Sequence, residues 1–446
     1  MLTQLERSIL AKEARLGVVG LGYVGLPVAC SFAASGYDVV GIELRPERVA
    51  QINAGICPIQ GHEPGLAELL AEVVAAGRLR ASTDASDLGD RDVILVNVET
   101  PVDEEHVPQY HALRGALASV GRAMRRGALV IVESTIAPGT MRDVALPLLQ
   151  QASGLTVNEG FFLGHCPERV MPGRLLQNLR SVSRTVGGMT PETARAMVAL
   201  YRQIVAADLD PTDCLTAELV KTVENAYRDV NIAFANEVAL ICEAIGGDVW
   251  KVRDLVNKSP GRNMLLPGAG VGGHCIPKDP WLLVHAARGK DVPVRLVPAA
   301  RAVNDGMPHH VTDMVVDALA EAGLAVAGAR IAVLGYAYLE NSDDTRNTPS
   351  EPLVQRLRAL GAEVVVHDPH VAEYAGPLDD ALRGADAVVL MVRHDAYQGL
   401  TLAPESGAGS RPVIVDARNV GLGAGAPIQR TIGRGAGVTP AAGDGA

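Results

Sequence analysis

The segment "GVVGLGYVGLPVA", residues 17–29, decides the fold. It begins as a β-branched apolar run and passes through Gly20-x-Gly22-x-x-Gly25. It then continues into a helix-forming stretch. A strand, a glycine turn and a helix in this order form the fingerprint of a dinucleotide-binding βα unit. Gly20 permits the tight turn, Gly22 lets a pyrophosphate approach the backbone, and Gly25 lets helix and strand pack closely. Tyr23 and Val24, within the turn, join the glycines as expected cofactor-binding residues, and the helix N-terminus offers N–H groups and a positive dipole end to an anion. About 20 residues on, Glu43 ends the next apolar run, "YDVVGI" (37–42). A carboxylate there accepts from a ribose hydroxyl and repels a 2′-phosphate, so NAD is expected rather than NADP.

Working outward, "DVILVNV" (92–98), "ALVIVES" (128–134) and "EGFFLGHCPE" (159–168) continue the alternation of strands with amphipathic helices. That rhythm belongs to an open, doubly wound parallel sheet. From about residue 212 the texture changes. "TDCLTAELVKTVENAYRDVNIAFANEVALICEAIG" contains no Gly or Pro before Gly246 and predicts one long spine helix. From Ala329 the strand–helix rhythm restarts with "ARIAVLGYAY", "EVVVHDP", "DAVVLMV" and "PVIVDAR". The expected fold is therefore α/β, with two Rossmann-like domains joined by a helical centre. The expected spans are 1–205, 206–310 and 311–420, with a flexible Gly- and Ala-rich tail over 421–446. The second α/β half has only Gly335 where the fingerprint needs three glycines, so no second dinucleotide is expected there.

Of the 446 residues, 48% are apolar, 20% are charged and 3% are aromatic, and the net charge is −11. That balance fits a globular protein whose cores are built from Ala, Val and Leu. It argues against a general nucleic-acid binder, which needs a basic surface. No stretch reaches the roughly 20 uninterrupted apolar residues of a membrane span. The first 15 residues carry charges throughout, so no secretory leader is expected. Six cysteines in so long a chain are no disulfide framework and fit a reducing cytoplasm.

One cysteine stands apart. Cys275, in "GAGVGGHCIPKDP" (268–280), follows Gly270, Gly272 and Gly273 and precedes Lys278 and Asp279. The glycines allow close approach to a ligand, and a nearby cation raises the thiolate fraction of a thiol. The paired Cys spacing of a zinc site is missing at His274-Cys275 and at His165-Cys166, so no metal is expected. Cys30, Cys57, Cys214 and Cys242 lie in ordinary contexts and are expected to be inert. Cys275 has the setting of a nucleophile.

Six motifs in order carry a resemblance. They are the glycine fingerprint, "STIAPGT" (134–140), "CPERVMPGR" (166–174), "ELVKTVENAYRDVNIAFANE" (218–237), "GVGGHCIPKD" (270–279) and "DDTRNTPS" (343–350). The chain resembles the nucleotide-sugar 6-dehydrogenases of the UDP-glucose/GDP-mannose dehydrogenase family across residues 14–420. The resemblance implies oxidation of a primary alcohol to a carboxylate with two NAD. Cys275 would hold the intermediate first as a thiohemiacetal and then as a thioester. It places Lys221 and Asn225 at the reacting oxygen, Asp279 beside the lysine, Glu168 as general base for thioester hydrolysis and Thr135 near water and nicotinamide. Arg48 and Thr100 join the cofactor set. Arg169, Arg262, Gly272, Arg346 and Arg418 join Glu168, Lys221 and Asn225 on the UDP-sugar. A homodimer through the central helix is implied, with higher oligomers open.

Within the family, "GHCPERVMPGR", "GGMTPE" and "RDVNIAFANE" are most similar to the branch acting on UDP-N-acetylmannosamine. The branches acting on UDP-N-acetylglucosamine and UDP-glucose are the alternatives. A two-electron hydroxyacid dehydrogenase on the same scaffold would need no cysteine. The chain departs from the family at Tyr338-Leu339, where many relatives carry Phe-Lys and the lysine meets phosphate.

Overall fold

The computed structural model describes all residues except 60, 62, 401–411, 423–425, 427, 437 and 439–446. The chain divides into two units, residues 1–224 with 281–291 and residues 225–280 with 292–446.

The first unit is built on an eight-stranded sheet. Its strands are β1 (Arg15–Val19), β2 (Asp38–Ile42), β3 (Leu79–Ser82), β4 (Val93–Val96), β5 (Leu129–Val132), β6 (Phe162–His165), β7 (Arg184–Gly188) and β8 (Leu209–Asp213). They lie in the order β3-β2-β1-β4-β5-β6-β7-β8, parallel except for the β6–β7 pair. The first six positions, 3-2-1-4-5-6, have the dinucleotide-fold order, with its switch point between β1 and β4. Apolar side chains from both sheet faces feed two cores. One is formed with the helix Gly25–Ala34 and the N-terminal helix Leu2–Leu10, the other with the helix His111–Ala123.

Three strands were not anticipated from the sequence. β3 is four residues long, β7 carries two glycines and β8 is mostly exposed, so none shows a buried-strand apolar run. The glycines of β7 have a packing cause. A Cβ on Gly187 would lie 2.7 Å from Asp213 O, and one on Gly188 would lie 2.4 Å from Ala194 N. β8, which follows the expected domain end at 205, also joins this sheet.

The second unit holds a parallel sheet of β9 (Arg330–Leu334), β10 (Glu363–His367), β11 (Ala387–Leu390), β12 (Val413–Asp416) and β13 (Gln429–Thr431), in the order β10-β9-β11-β12-β13. β13 corrects the expected tail. Residues 429–431 pair with β12, Ile432 is buried, and Gly433 N donates to Glu243 Oε1 at 2.6 Å. Of the expected tail, residues 423–425, 427, 437 and 439–446 lie outside the described residues. The helix Leu296–Glu321 runs through the expected boundary at 310. Its second half packs Val311, Met314, Val315 and Ala318 into the core of this sheet, which explains the continuity. The spine helix spans Cys214–Ile245, 32 residues.

The turn after β9 differs from the turn after β1 in a way that bears on ligands. Tyr336 N and Ala337 N, which follow Gly335, donate to Asp368 Oδ2 at 2.6 and 2.8 Å. The chain's own buried carboxylate thus takes the backbone donors that a phosphate would need.

Candidate active site

The glycine loop has the division of labour that a bound pyrophosphate requires. Gly20 adopts φ +87°, and a Cβ there would meet Asn97 O at 2.3 Å. A Cβ on Gly25 would lie 1.9 Å from Gly20 O. A Cβ on Gly22 would meet nothing within 4 Å. The first and third glycines therefore serve the chain's own packing, and the second leaves room for a ligand at the N-terminus of the helix Gly25–Ala34. Val24 caps that helix, and Tyr23 OH bonds Glu63, which also accepts Gly173 N at 2.7 Å. Glu43 is buried at the end of β2 and receives Arg45 N and Nε at 3.2 and 3.3 Å. Arg48 Nη2 donates to Leu21 O at 3.0 Å, bracing the loop from outside. These residues fit the adenosine and pyrophosphate of NAD.

A test follows from the Glu43–Arg45 contact. Glu43→Ser removes the ribose acceptor and releases Arg45 toward a 2′-phosphate. We expect KM for NAD to rise about ten- to a hundredfold, the scale of a lost charge-assisted hydrogen bond, with a narrower NAD/NADP preference. Initial rates with both dinucleotides measure it. An unchanged preference would show that Glu43 does not face the ribose.

Thr135 lies in the turn after β5. Thr100 Oγ1 donates to its carbonyl at 2.6 Å, so these two expected cofactor residues meet. The turn is anchored by Glu218, a residue the sequence did not flag. Buried on the spine helix, it accepts Gly139 N at 2.8 Å and Met141 N at 2.7 Å. Burial pushes its carboxyl up to about 7 against the pull of those two N–H groups. Lys221, one turn on, is also buried and forms no ion pair among the described residues.

Glu168 is no surface carboxylate. It is buried after β6, with Oε2 2.7 Å from Arg184 Nη1 and Oε1 accepting Arg169 N at 2.7 Å. Arg169, expected on the substrate, is held by groups of the chain itself. Its guanidinium donates to Ser183 O at 2.7 Å, to Thr185 Oγ1 at 3.2 Å and to Glu224 Oε2 at 3.0 Å. A fork so fully engaged inside the chain has little left to offer a ligand.

In the second unit Cys275 opens the turn into the helix Asp279–Ala286, and its carbonyl accepts Lys278 N and Asp279 N at 3.1 and 2.8 Å. It is the exposed cysteine of the six, none of which forms a disulfide. Burial pushes the Cys30, Cys166 and Cys214 thiols up to about 12, which makes them poor nucleophiles. Asp279 is fully buried and receives Asn225 Nδ2 at 2.5 Å, while Lys278 Nζ lies 3.2 Å from its other oxygen. Lys278, expected to lend its charge to the thiol, is therefore shared with Asp279. Asn225 keeps a second amide hydrogen to donate.

The glycines before Cys275 serve a different purpose from the one expected. A Cβ on Gly272 would lie 2.5 Å from Tyr338 Cβ, and one on Gly273 would lie 2.8 Å from the Tyr338 ring. Gly273 N donates to Arg346 O at 2.8 Å, and Asn347 Nδ2 donates to Gly273 O at 3.0 Å. The close approach at Gly272 is made by the chain's own 338–347 loop. Tyr338, which stands where relatives carry Phe, is thus a packing residue. Arg346 engages Asp344 in a fork, with Nε 2.9 Å from Oδ1. Arg418 Nε donates to Met391 O at 2.7 Å, and its guanidinium lies against Gly268, where a Cβ would be 2.6 Å from Nη1. Arg262 is exposed on the same loop, with Nη1 3.4 Å from Pro260 O. Among the described residues no group of three or more His, Cys, Asp or Glu side chains could hold a metal ion.

A dinucleotide fold whose glycine loop leaves room for a pyrophosphate defines an NAD-binding oxidoreductase fold. Comparison with known proteins agrees. Residues 14–205 match the NAD binding domain of the UDP-glucose/GDP-mannose dehydrogenase family, 215–306 its central domain and 332–421 its UDP binding domain. The chain is 40% identical over 406 residues to UDP-N-acetyl-D-mannosamine dehydrogenase of Pyrococcus horikoshii, covering 91% of this chain and 96% of that one. It is 37% identical over 412 residues to NDP-N-acetyl-D-galactosaminuronic acid dehydrogenase of Ralstonia solanacearum, covering 89% and 94%. A solved UDP-N-acetyl-D-mannosamine dehydrogenase from P. horikoshii superposes with TM-score 0.88 at 39% identity, covering 94% of this chain and 99% of that one. The chain belongs to the UDP-glucose/GDP-mannose dehydrogenase family, and is a nucleotide-sugar dehydrogenase with an NAD domain and a UDP-binding domain.

Proposed function

We propose that the protein oxidises C6 of UDP-N-acetylmannosamine to the uronate in two two-electron steps. The observation that carries this is Cys275, a lone exposed thiol held next to the buried Asp279–Asn225 pair. NAD, held by the glycine loop and Glu43, supplies the hydride acceptor for both oxidations. Lys221 and Asn225, one turn apart on the spine helix, direct a cation and an amide N–H at the C6 oxygen and stabilise its developing negative charge. Cys275 Sγ then adds to the C6 aldehyde. A bare aldehyde has no alkoxide to expel a hydride, whereas the thiohemiacetal does. After the second oxidation Glu168 takes a proton from water as the water oxygen bonds the thioester carbon. The C–S bond breaks toward Cys275, and Asp279 and Thr135 orient the proton and the water. The N-acetylmannosamine assignment draws on the named relatives and on the three branch motifs. It is tested by initial rates with UDP-N-acetylmannosamine, UDP-N-acetylglucosamine, UDP-N-acetylgalactosamine and UDP-glucose. Highest kcat/KM with the first is expected, and a clear preference for another would replace that sugar.

A homodimer through the spine helix is part of the same proposal, in a reducing, cytoplasmic setting where the free thiols persist. Leu215, Leu219, Val223, Tyr227, Phe234 and Ile241 are exposed on that helix at spacings of four and seven residues. Such a stripe is an unpartnered apolar face. Phe234→Glu with Ile241→Glu places charge in it, and light scattering should then report a monomer. A double variant that keeps the wild-type mass would place the interface elsewhere.

A further inference from the structure

One buried arginine in the first unit serves two carboxylates. Arg184 Nη1 lies 2.7 Å from Glu168 Oε2 and 3.7 Å from Glu133 Oε1, and all three side chains are buried. Its guanidinium also stacks 5.0 Å over the Tyr201 ring. The Arg184–Glu168 contact is ionic without hydrogen-bond geometry, and neither Oε2 nor Nη1 has another hydrogen-bond partner. Glu168 is thus charge-balanced while keeping a lone pair for an incoming O–H. Glu133, by contrast, is enclosed. Tyr201 OH donates to it at 2.7 Å and Asn97 Nδ2 at 2.5 Å.

One arginine balances one buried carboxylate, and a second ionises reluctantly beside them. We propose that Glu133 is a positioning residue that competes with Glu168 for Arg184, and thereby tunes product release from Cys275. The inference rests on the role given to Glu168 above. Burial, opposed by Arg184, pushes the Glu133 carboxyl up to about 7. Below that pH Glu133 is neutral and Arg184 belongs to Glu168. Above it the Glu133 anion competes for Arg184, which then holds the Glu168 carboxylate less tightly. The other titratable groups facing Glu133 do not change charge over this range. Burial pushes the Cys166 thiol up to about 12 and the Tyr201 phenol well above its usual value.

The test is the decay of the acyl adduct on Cys275, followed by mass spectrometry of the full-length protein from about pH 5.5 to about pH 8.5. Over that range a base near neutrality should register. Wild type should show a rise of about three- to tenfold through neutrality, as Glu133 ionises and draws Arg184 away from Glu168. Glu133→Gln keeps the shape but is neutral at every pH, so its profile should lack that rise while its first-hydride rate is unchanged. Tyr201→Phe removes a donor that favours ionised Glu133, so the rise should move to higher pH. That variant also serves if Glu133→Gln fails to fold. A rise of wild-type size and position in both variants would overturn the inference, as would a Glu133→Gln protein slowed equally in its first hydride transfer. Wild type that forms no NADH with any UDP-sugar would instead overturn the proposed function.

Discussion

Cys275→Ser should form carboxylate at least about 10³-fold more slowly than wild type, the order of loss seen when a covalent nucleophile is removed. Serine fills the same space, but its hydroxyl is un-ionised near neutral pH and adds poorly to an aldehyde. Cys275 is exposed and its neighbours Lys278 and Asp279 pair with each other, so the fold should tolerate the change. The first oxidation needs no sulfur, and the variant should therefore release at most one NADH per sugar, with aldehyde trapped by a hydrazine reagent. No adduct should appear on residue 275. Full-rate carboxylate formation would instead support a mechanism without covalent attachment.

The second large effect is expected at Lys221. Lys221→Met keeps the aliphatic stem, which matters because the residue is buried on the spine helix. It removes the cation that the proposed mechanism puts at the oxygen whose charge develops in every redox step. Removal of one such preorganised group costs about 10²–10³ in kcat. Unlike Cys275→Ser, Lys221→Met should slow both hydride transfers and leave the yield at two NADH per sugar. A change confined to KM would assign Lys221 to ground-state binding alone.

The two variants probe features that were legible in the sequence for different reasons. The glycine loop was visible because three glycines at fixed spacing answer three separate steric demands, and two of those demands are met by Asn97 O and Gly20 O. The spine helix was visible as a long stretch free of Gly and Pro, and it spans Cys214–Ile245. β3, β7 and β8 were hidden because short, polar or glycine-containing strands lack an apolar period. β13 was hidden because its partner strand, not its own composition, orders it.

The candidate site shows the same division. Cys275, Glu168 and Asp279 could be picked out because their residue types carry chemistry. Glu133 and Arg184 could not, because an ion pair between residues so far apart in sequence leaves no local pattern, and neither could Glu218, whose partners are the backbone N–H groups of Gly139 and Met141. Residues 133 and 184 meet only because β5, β6 and β7 are neighbours in the sheet. Arg169 shows a related difficulty. A basic residue beside a catalytic motif looks like an anion ligand until its internal partners, Glu224 and Ser183, are seen.

The central claim is a four-electron oxidation carried by one protein through Cys275. Its most direct test is the amount of NADH formed per UDP-sugar consumed, measured to completion with excess NAD. Two NADH per sugar, with a uronate as the sole sugar product, is the predicted result. One NADH per sugar with an accumulating aldehyde would contradict it.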